Sequence, residues 1–191
     1  MTKSRPPSHF EQLYEANPDP WGFQTSPYEQ TKYRNSVDVL GDRHFTSGLE
    51  VGCSIGVLTR MLASRCKRLL GVDIVDAPLS AARARCADLP QIRFERMQVP
   101  LDWPDEQFDL IVLSEVLYFL SPNDIHQCAR RVLDTLLPGG AVLLVNWIGE
   151  TDDPSSGHTA PDRFVACTED RLRVAHRQRH PKYRLELLTF N

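Results

Sequence analysis

The sequence predicts an α/β fold: a mostly parallel sheet with helices on both faces, closed at its C-terminal end by an antiparallel hairpin. Three observations predict it. Short apolar runs alternate with helical patterns from Leu49 to Trp147, and runs that are apolar throughout mark strands covered on both faces. The first run leads into a glycine turn, Glu50-Val51-Gly52-Cys53-Ser54-Ile55-Gly56, and the second closes on an acid, Asp73, 17 residues beyond Gly56. Near the C-terminus, two imperfectly alternating segments flank His180-Pro181-Lys182, as strands do on either side of a turn.

The elements follow in order. Leu49 to Val51 reads as a short buried strand, Gly56 to Ser64 as its helix, Leu69 to Val72 as the second strand and Pro78 to Ala87 as the second helix. Ile92 to Arg96 and Phe108 to Ser114 are the third and fourth strands, Asn123 to Leu136 the next helix, and Ala141 to Trp147 the fifth strand. Leu137-Pro138-Gly139-Gly140 is a stop signal, because proline cannot continue a helix and glycine accepts the positive φ of a reversal. Thr151 to Pro161 is rich in Asp, Pro, Ser and Gly; a loop of nearly 12 residues suggests a flap. Leu172 to His176 and Tyr183 to Leu188 form the expected hairpin, which brings the strands to seven; a helix from Arg171 to Arg179 is the competing reading.

Composition narrows the class. The chain has 191 residues and is 41% hydrophobic, enough for one domain with a sizeable core and too little for two. A formal net charge of -3 gives no overall attraction to polyanions, so nucleic acid is disfavoured. Five cysteines without a C-x-x-C pair fit a reducing compartment and small apolar fillers, not a metal site. The N-terminus lacks the apolar run of a signal peptide and no segment approaches a membrane span. The expectation is a cytoplasmic protein of undetermined oligomeric state.

A ligand of an open α/β sheet lies beyond the carboxyl ends of its strands. The E-x-G-x-x-x-G spacing differs from the G-x-G-x-x-G that brings a pyrophosphate to a helix N-terminus, so a nucleoside cofactor without phosphates is expected. S-adenosyl-L-methionine, with S-adenosyl-L-homocysteine as product, meets that description, and the fold is then Rossmann-like, of the class I methyltransferase type. Glu50 and the backbone of Gly52, Cys53 and Ser54 face the methionine arm, Gly56 leaves room for it, Asp73 accepts from the ribose hydroxyls and Ile74 lies on the adenine. Met97 and Gln98 follow the third strand at the adenine edge; related enzymes often have an aspartate at this place, so recognition shifts to Gln98 or to backbone amides. Ser114 faces the methionine arm and the acceptor. Glu115 is either a cofactor or acceptor contact or an N-cap for a helix from Val116 to Leu120.

The segment before the first strand carries Asp19-Pro20-Trp21 and then Ser26-Pro27-Tyr28-Glu29-Gln30-Thr31-Lys32-Tyr33. This D-P-W followed by S-x-Y-E-x-x-K-Y resembles the N-terminal region of NodS-type methyltransferases, and the likeness extends over most of the chain. The resemblance implies N-methylation, in Nod-factor synthesis, of the free amine on the non-reducing glucosamine of a de-N-acetylated chitooligosaccharide. Read on its residues alone, residues 1–48 form a helical segment in which Trp21, Tyr28 and Tyr33 either make an aromatic lid over the sulfonium or a sugar ring, or pack a helix onto the sheet. Arg34 is placed to pair with the cofactor carboxylate.

Methyl transfer needs a neutral nucleophile held in line with the sulfonium. Glu115, Tyr118 and His158 are the catalytic candidates, with His158 titrating in the range of a general base. Tyr28, Trp147 and Asp162 are candidates for holding the acceptor. Other readings stay open: methyl transfer to a different amine or a hydroxyl, and a non-catalytic cofactor-binding module. An NAD-dependent oxidoreductase is disfavoured by the missing phosphate-binding turn.

Overall fold

A computed structural model describes residues 2–191; Met1, the first residue of the expected N-terminal segment, lies outside them. Two helices precede the sheet, α1 (Pro7–Ala16) and α2 (Pro27–Asp38). Then follow β1 (Gly48–Val51), α3 (Val57–Leu62), β2 (Leu69–Asp73), α4 (Asp76–Arg85), β3 (Ile92–Arg96), β4 (Phe108–Ser114), α5 (Pro122–Thr135) and β5 (Leu136–Trp147). The chain closes with α6 (Thr159–Thr168), β6 (Leu172–Arg179) and β7 (Tyr183–Phe190). The seven strands lie in the order β3-β2-β1-β4-β5-β7-β6. The first five are parallel, and β7 inserts antiparallel between β5 and β6.

Strand order reverses between β1 and β4, so the crevice opens where β1, β2 and β4 end. Two cores cover the sheet. One holds Phe10 and Tyr14 of α1, Tyr33 of α2 and Leu58 and Leu62 of α3; the other holds Ile125, Cys128, Ala129 and Val132 of α5 with Ala160 and Phe164 of α6. The central strands are buried over their full length, which accounts for their unbroken apolar sequence.

Several boundaries differ from expectation. The helix after the glycine turn stops at Leu62 and tightens into a 3-10 turn over Ala63–Arg65. The next helix starts two residues early, at Asp76, because Pro78 is tolerated in a first turn whose amides need no partner. The 137–140 segment is not a connecting loop but part of β5: Leu136 pairs with Phe108 and Ala141 with Leu110, and the intervening Pro-Gly-Gly bulges out, with Gly139 at φ 79. Residues 172–179 form a strand rather than the competing helix.

The loop after β5 also differs, because Thr159, Ala160 and Pro161 belong to α6. Ser156 and Thr159 cap that helix reciprocally, the Ser156 hydroxyl accepting from the Thr159 amide and the Ser156 amide donating to the Thr159 hydroxyl. The remaining loop, 151–158, is fastened: the Ser155 amide donates to the Tyr118 carbonyl and its hydroxyl to the Leu120 carbonyl. A Cβ on Gly157 would lie 1.4 Å from the Trp147 carbonyl oxygen, so only glycine permits this approach. Among the described residues, no helix is long and apolar enough to cross a membrane.

Candidate active site

A cavity of about 660 Å3 lies at the carboxyl ends of β1, β2, β4 and β5, roofed by the N-terminal segment and the loop after β5. Its floor is made by strand ends. Gly52, at φ 79, brings the chain so close to Val116 that a Cβ would sit 2.4 Å from a Val116 methyl. Ser54 also has positive φ, 49, a conformation costing about 1 kcal/mol for a residue other than glycine.

Asp73 fixes this turn. One of its oxygens accepts from the Ser54 amide at 2.9 Å and the other from the Val75 amide at 3.2 Å. Burial pushes its carboxyl up to about 6, with the amides working against that rise. Each oxygen still has a lone pair to offer. Above it, Tyr14 of α1 shares a 2.6 Å hydrogen bond with the Ser54 hydroxyl. Ile74, Met97, Gln98 and Ser114 line the same side.

On the opposite side three charges interlock. Lys32, 2% exposed, places its ammonium 2.7 Å from Glu29 and 2.7 Å from Glu115, over the rings of Tyr28 and Tyr33. Burial alone would lower its pKa, but Glu115 and Glu29 together raise it above the ordinary lysine value. Glu115 has three of its four lone-pair positions filled: one oxygen accepts from the Lys32 ammonium, the other from the Tyr118 hydroxyl at 2.9 Å and the Trp147 amide at 2.8 Å. Its φ is 58 and it caps no helix; only a 3-10 turn, Leu117–Phe119, follows. Tyr28 and Trp147 stand edge to face across the wall, 6.0 Å between centroids.

The rim is acidic. Asp124, Glu150, Asp152 and Asp153 line it, giving seven carboxylates with Glu29, Asp73 and Glu115, against Arg5, Lys32 and Lys182. Arg5 ties the N-terminal segment to the loop after β5 by pairing with Asp153 at 2.8 Å and Asp152 at 3.1 Å. Among the described residues no cluster of His, Cys, Asp and Glu is arranged to hold a metal ion.

Of the residues read from sequence, Gly52, Ser54, Asp73, Ile74, Met97, Gln98, Ser114, Glu115, Tyr118, Trp21, Tyr28 and Trp147 line this cavity. Others are displaced from it. Arg34 is exposed on α2, because the inward face of that helix is Glu29, Lys32, Tyr33 and Ser36, at the i, i+3, i+4, i+7 spacing. Tyr33 is buried in the core behind the wall and cannot form a lid. Gly56 serves packing instead: a Cβ there would meet Ala82 at 2.9 Å, so it lets α3 close on α4. Glu50 and Cys53 are buried and turned away from the cavity lining, and burial drives the Glu50 carboxyl up to about 8. His158, just before α6, and Asp162 in its first turn are held away from the cavity by Arg184 of β7, which bonds the His158 carbonyl at 2.9 Å and the Asp162 carboxylate at 2.6 Å.

Tyr14, Glu29, Lys32 and Arg5 were not assigned site roles from sequence. The available signal was the helical period of α2, on which a lysine and a glutamate occupy the face that also carries Tyr33.

The fold and the crevice define the architecture of class I methyltransferases. The profile of the nodulation protein S (NodS) family matches residues 9–181, and the chain belongs to that family. It is 36% identical to nodulation protein S of Bradyrhizobium diazoefficiens over 122 residues, covering 63% of this chain and 58% of that protein. Against nodulation protein S of Sinorhizobium fredii the identity is 32% over 124 residues, covering 64% and 57%. The chain thus spans little more than half the length of these curated relatives. The crystal structure of N-methyltransferase NodS from Bradyrhizobium japonicum WM9 with S-adenosyl-l-homocysteine superposes with a TM-score of 0.81 at 23% identity, over 96% of this chain and 97% of that one.

Proposed function

We propose that this protein is an S-adenosyl-L-methionine-dependent N-methyltransferase that methylates the free amine of the non-reducing glucosamine of a de-N-acetylated chitooligosaccharide. The observation that carries the reading is membership of the nodulation protein S family together with a cavity in which a buried, backbone-held carboxylate faces an acidic, aromatic wall. When bound, the cofactor supplies a methyl group on a positively charged sulfur. Asp73 accepts from its ribose hydroxyls, Ile74, Met97 and Gln98 surround the adenine, and Gly52 with Ser54 borders the methionine arm. Tyr28 and Trp147 border the sugar. Glu115 and Tyr118 shape the acceptor side as a rigid pair, and the carboxylate-rich rim attracts a cationic amine while disfavouring phosphorylated acceptors. Reduced cysteines, all five unpaired, agree with a cytoplasmic site of action.

The test is transfer of labelled methyl from adenosylmethionine to chitooligosaccharides with and without a free terminal amine, with mass spectrometry locating the product. Methylation confined to the deacetylated acceptor supports the reading. Cofactor binding without such a product overturns it and redirects the search to other small amines.

A further inference from the structure

Resting on that reading, we propose that Glu29 is the proton acceptor for the substrate amine, and that Glu115 is not. The two carboxylates hold the same Lys32 ammonium, each at 2.7 Å, yet their remaining valences differ. Glu115 already receives Lys32, the Tyr118 hydroxyl and the Trp147 amide, which leaves a single lone-pair position, on the oxygen that Lys32 already holds. Glu29 has no partner except Lys32 among the described residues. It lines the cavity with a side chain only 9% exposed, and beside it the Tyr28 hydroxyl is buried without any hydrogen-bond partner among the described residues. Two adjacent buried groups with unused hydrogen-bonding capacity, on one cavity wall, mark where a polar ligand group completes the set.

The charges around Glu29 come from every side: Lys32 on its own helix, Glu115 after β4 and Asp19 in the preceding loop, with the phenols of Tyr28, Tyr33 and Tyr118 nearby. Burial, with Glu115 and Asp19, raises the Glu29 carboxyl against the pull of Lys32, in the direction that suits a base working near neutrality. The acceptor arrives as an ammonium. One N–H proton passes to a Glu29 oxygen; the freed nitrogen lone pair forms the C–N bond as the C–S bond breaks, its electron pair staying on sulfur. The methylated amine leaves as an ammonium, and Glu29 returns its proton to solvent, one proton released per turnover.

The experiment compares Glu29→Gln, Glu29→Asp and Glu115→Gln in the full chain, measuring kcat against pH and, separately, adenosylmethionine affinity by calorimetry. Glu29→Gln is expected to bind cofactor like the parent and to lose about 100-fold or more in kcat near neutrality, with the deficit shrinking as pH rises toward the amine's own pKa. Glu29→Asp should recover part of that loss, and Glu115→Gln should keep the parent pH profile at whatever activity it retains. A Glu29→Gln enzyme with the parent's kcat and pH profile overturns the proposal, as does a Glu115→Gln enzyme that alone shows the pH-dependent deficit. A parent protein that methylates no amine defeats the functional reading itself, a result distinct from either.

Discussion

The two halves of the cavity hold their carboxylates by different means. On the cofactor side Asp73 is fixed by backbone amides from its own neighbourhood, Ser54 and Val75. On the acceptor side Glu29 and Glu115 are fixed by a side chain, Lys32, which lies 83 residues from Glu115 in the chain. A backbone cradle persists as long as the strands pair. A side-chain cradle can be dismantled by one substitution, and the two halves should therefore fail differently.

The largest effect is expected on the side-chain half. Glu115→Ala leaves the buried Lys32 with only Glu29 and frees the Tyr118 hydroxyl and the Trp147 amide, a loss of about 3–5 kcal/mol. Thermal denaturation should show a fall of roughly 10 °C for a chain of this size. The double variant Lys32→Met with Glu115→Leu should recover part of it; no recovery would mean that the ion pair is not what Glu115 contributes.

On the backbone half, Asp73→Ala should leave the acceptor KM nearly unchanged while weakening adenosylmethionine about 100-fold, the worth of two hydrogen bonds to a charged group. Isothermal titration reads this directly, and an affinity within a few-fold of the parent would remove Asp73 from the cofactor's contacts. Tyr14→Phe deletes one hydrogen bond to Ser54 and should cost about 1 kcal/mol in cofactor affinity, or roughly fivefold. Helix α1 then counts as part of the cofactor half.

The smallest effect concerns Glu50, whose folded pKa, about 8, lies above its ordinary 4.5. Between those values the folded state binds the proton and the unfolded state does not, so this contribution is present below pH 4.5 and lost as pH rises through 8. Glu50→Gln should flatten the decline in stability over that window, raising Tm at pH 8 more than at pH 5. Equal shifts at both pH values would show that the carboxyl is not protonated when folded.

The same contrast separates what the sequence disclosed from what it hid. Asp73, Gly52 and Ser54 act through local backbone geometry, and a glycine turn followed by an acid at a strand end is written in consecutive residues. The succession of strands and helices and the closing hairpin were legible for the same reason, since alternation and turn residues are local. Lys32 and Glu29 sit in an aromatic-rich segment, but the partner they share the site with, Glu115, follows β4, 83 residues from Lys32, and no local pattern names it. Arg34, expected to pair with the cofactor carboxylate, faces solvent because the helical period of α2 turns Lys32 inward instead. His158 and Asp162 lie off the cavity because a helix, α6, starts at Thr159 and draws both onto Arg184.

The acidic wall bears on how turnover ends. In the proposed reaction the two guests bring two positive charges, one on sulfur and one on the amine, and after transfer and proton loss they carry one between them. Seven carboxylates facing three permanent cations hold a doubly charged pair more firmly than a singly charged one, so the chemical step itself loosens the grip on what it has made. Ionic strength should act unevenly on that grip. In physiological saline the field of an exposed charge decays over about 8 Å, so salt weakens the pull of the exposed Glu150 and Asp152 on the rim, while Asp73 beneath Tyr14 is screened far less. Acceptor capture should therefore depend on salt far more steeply than cofactor retention.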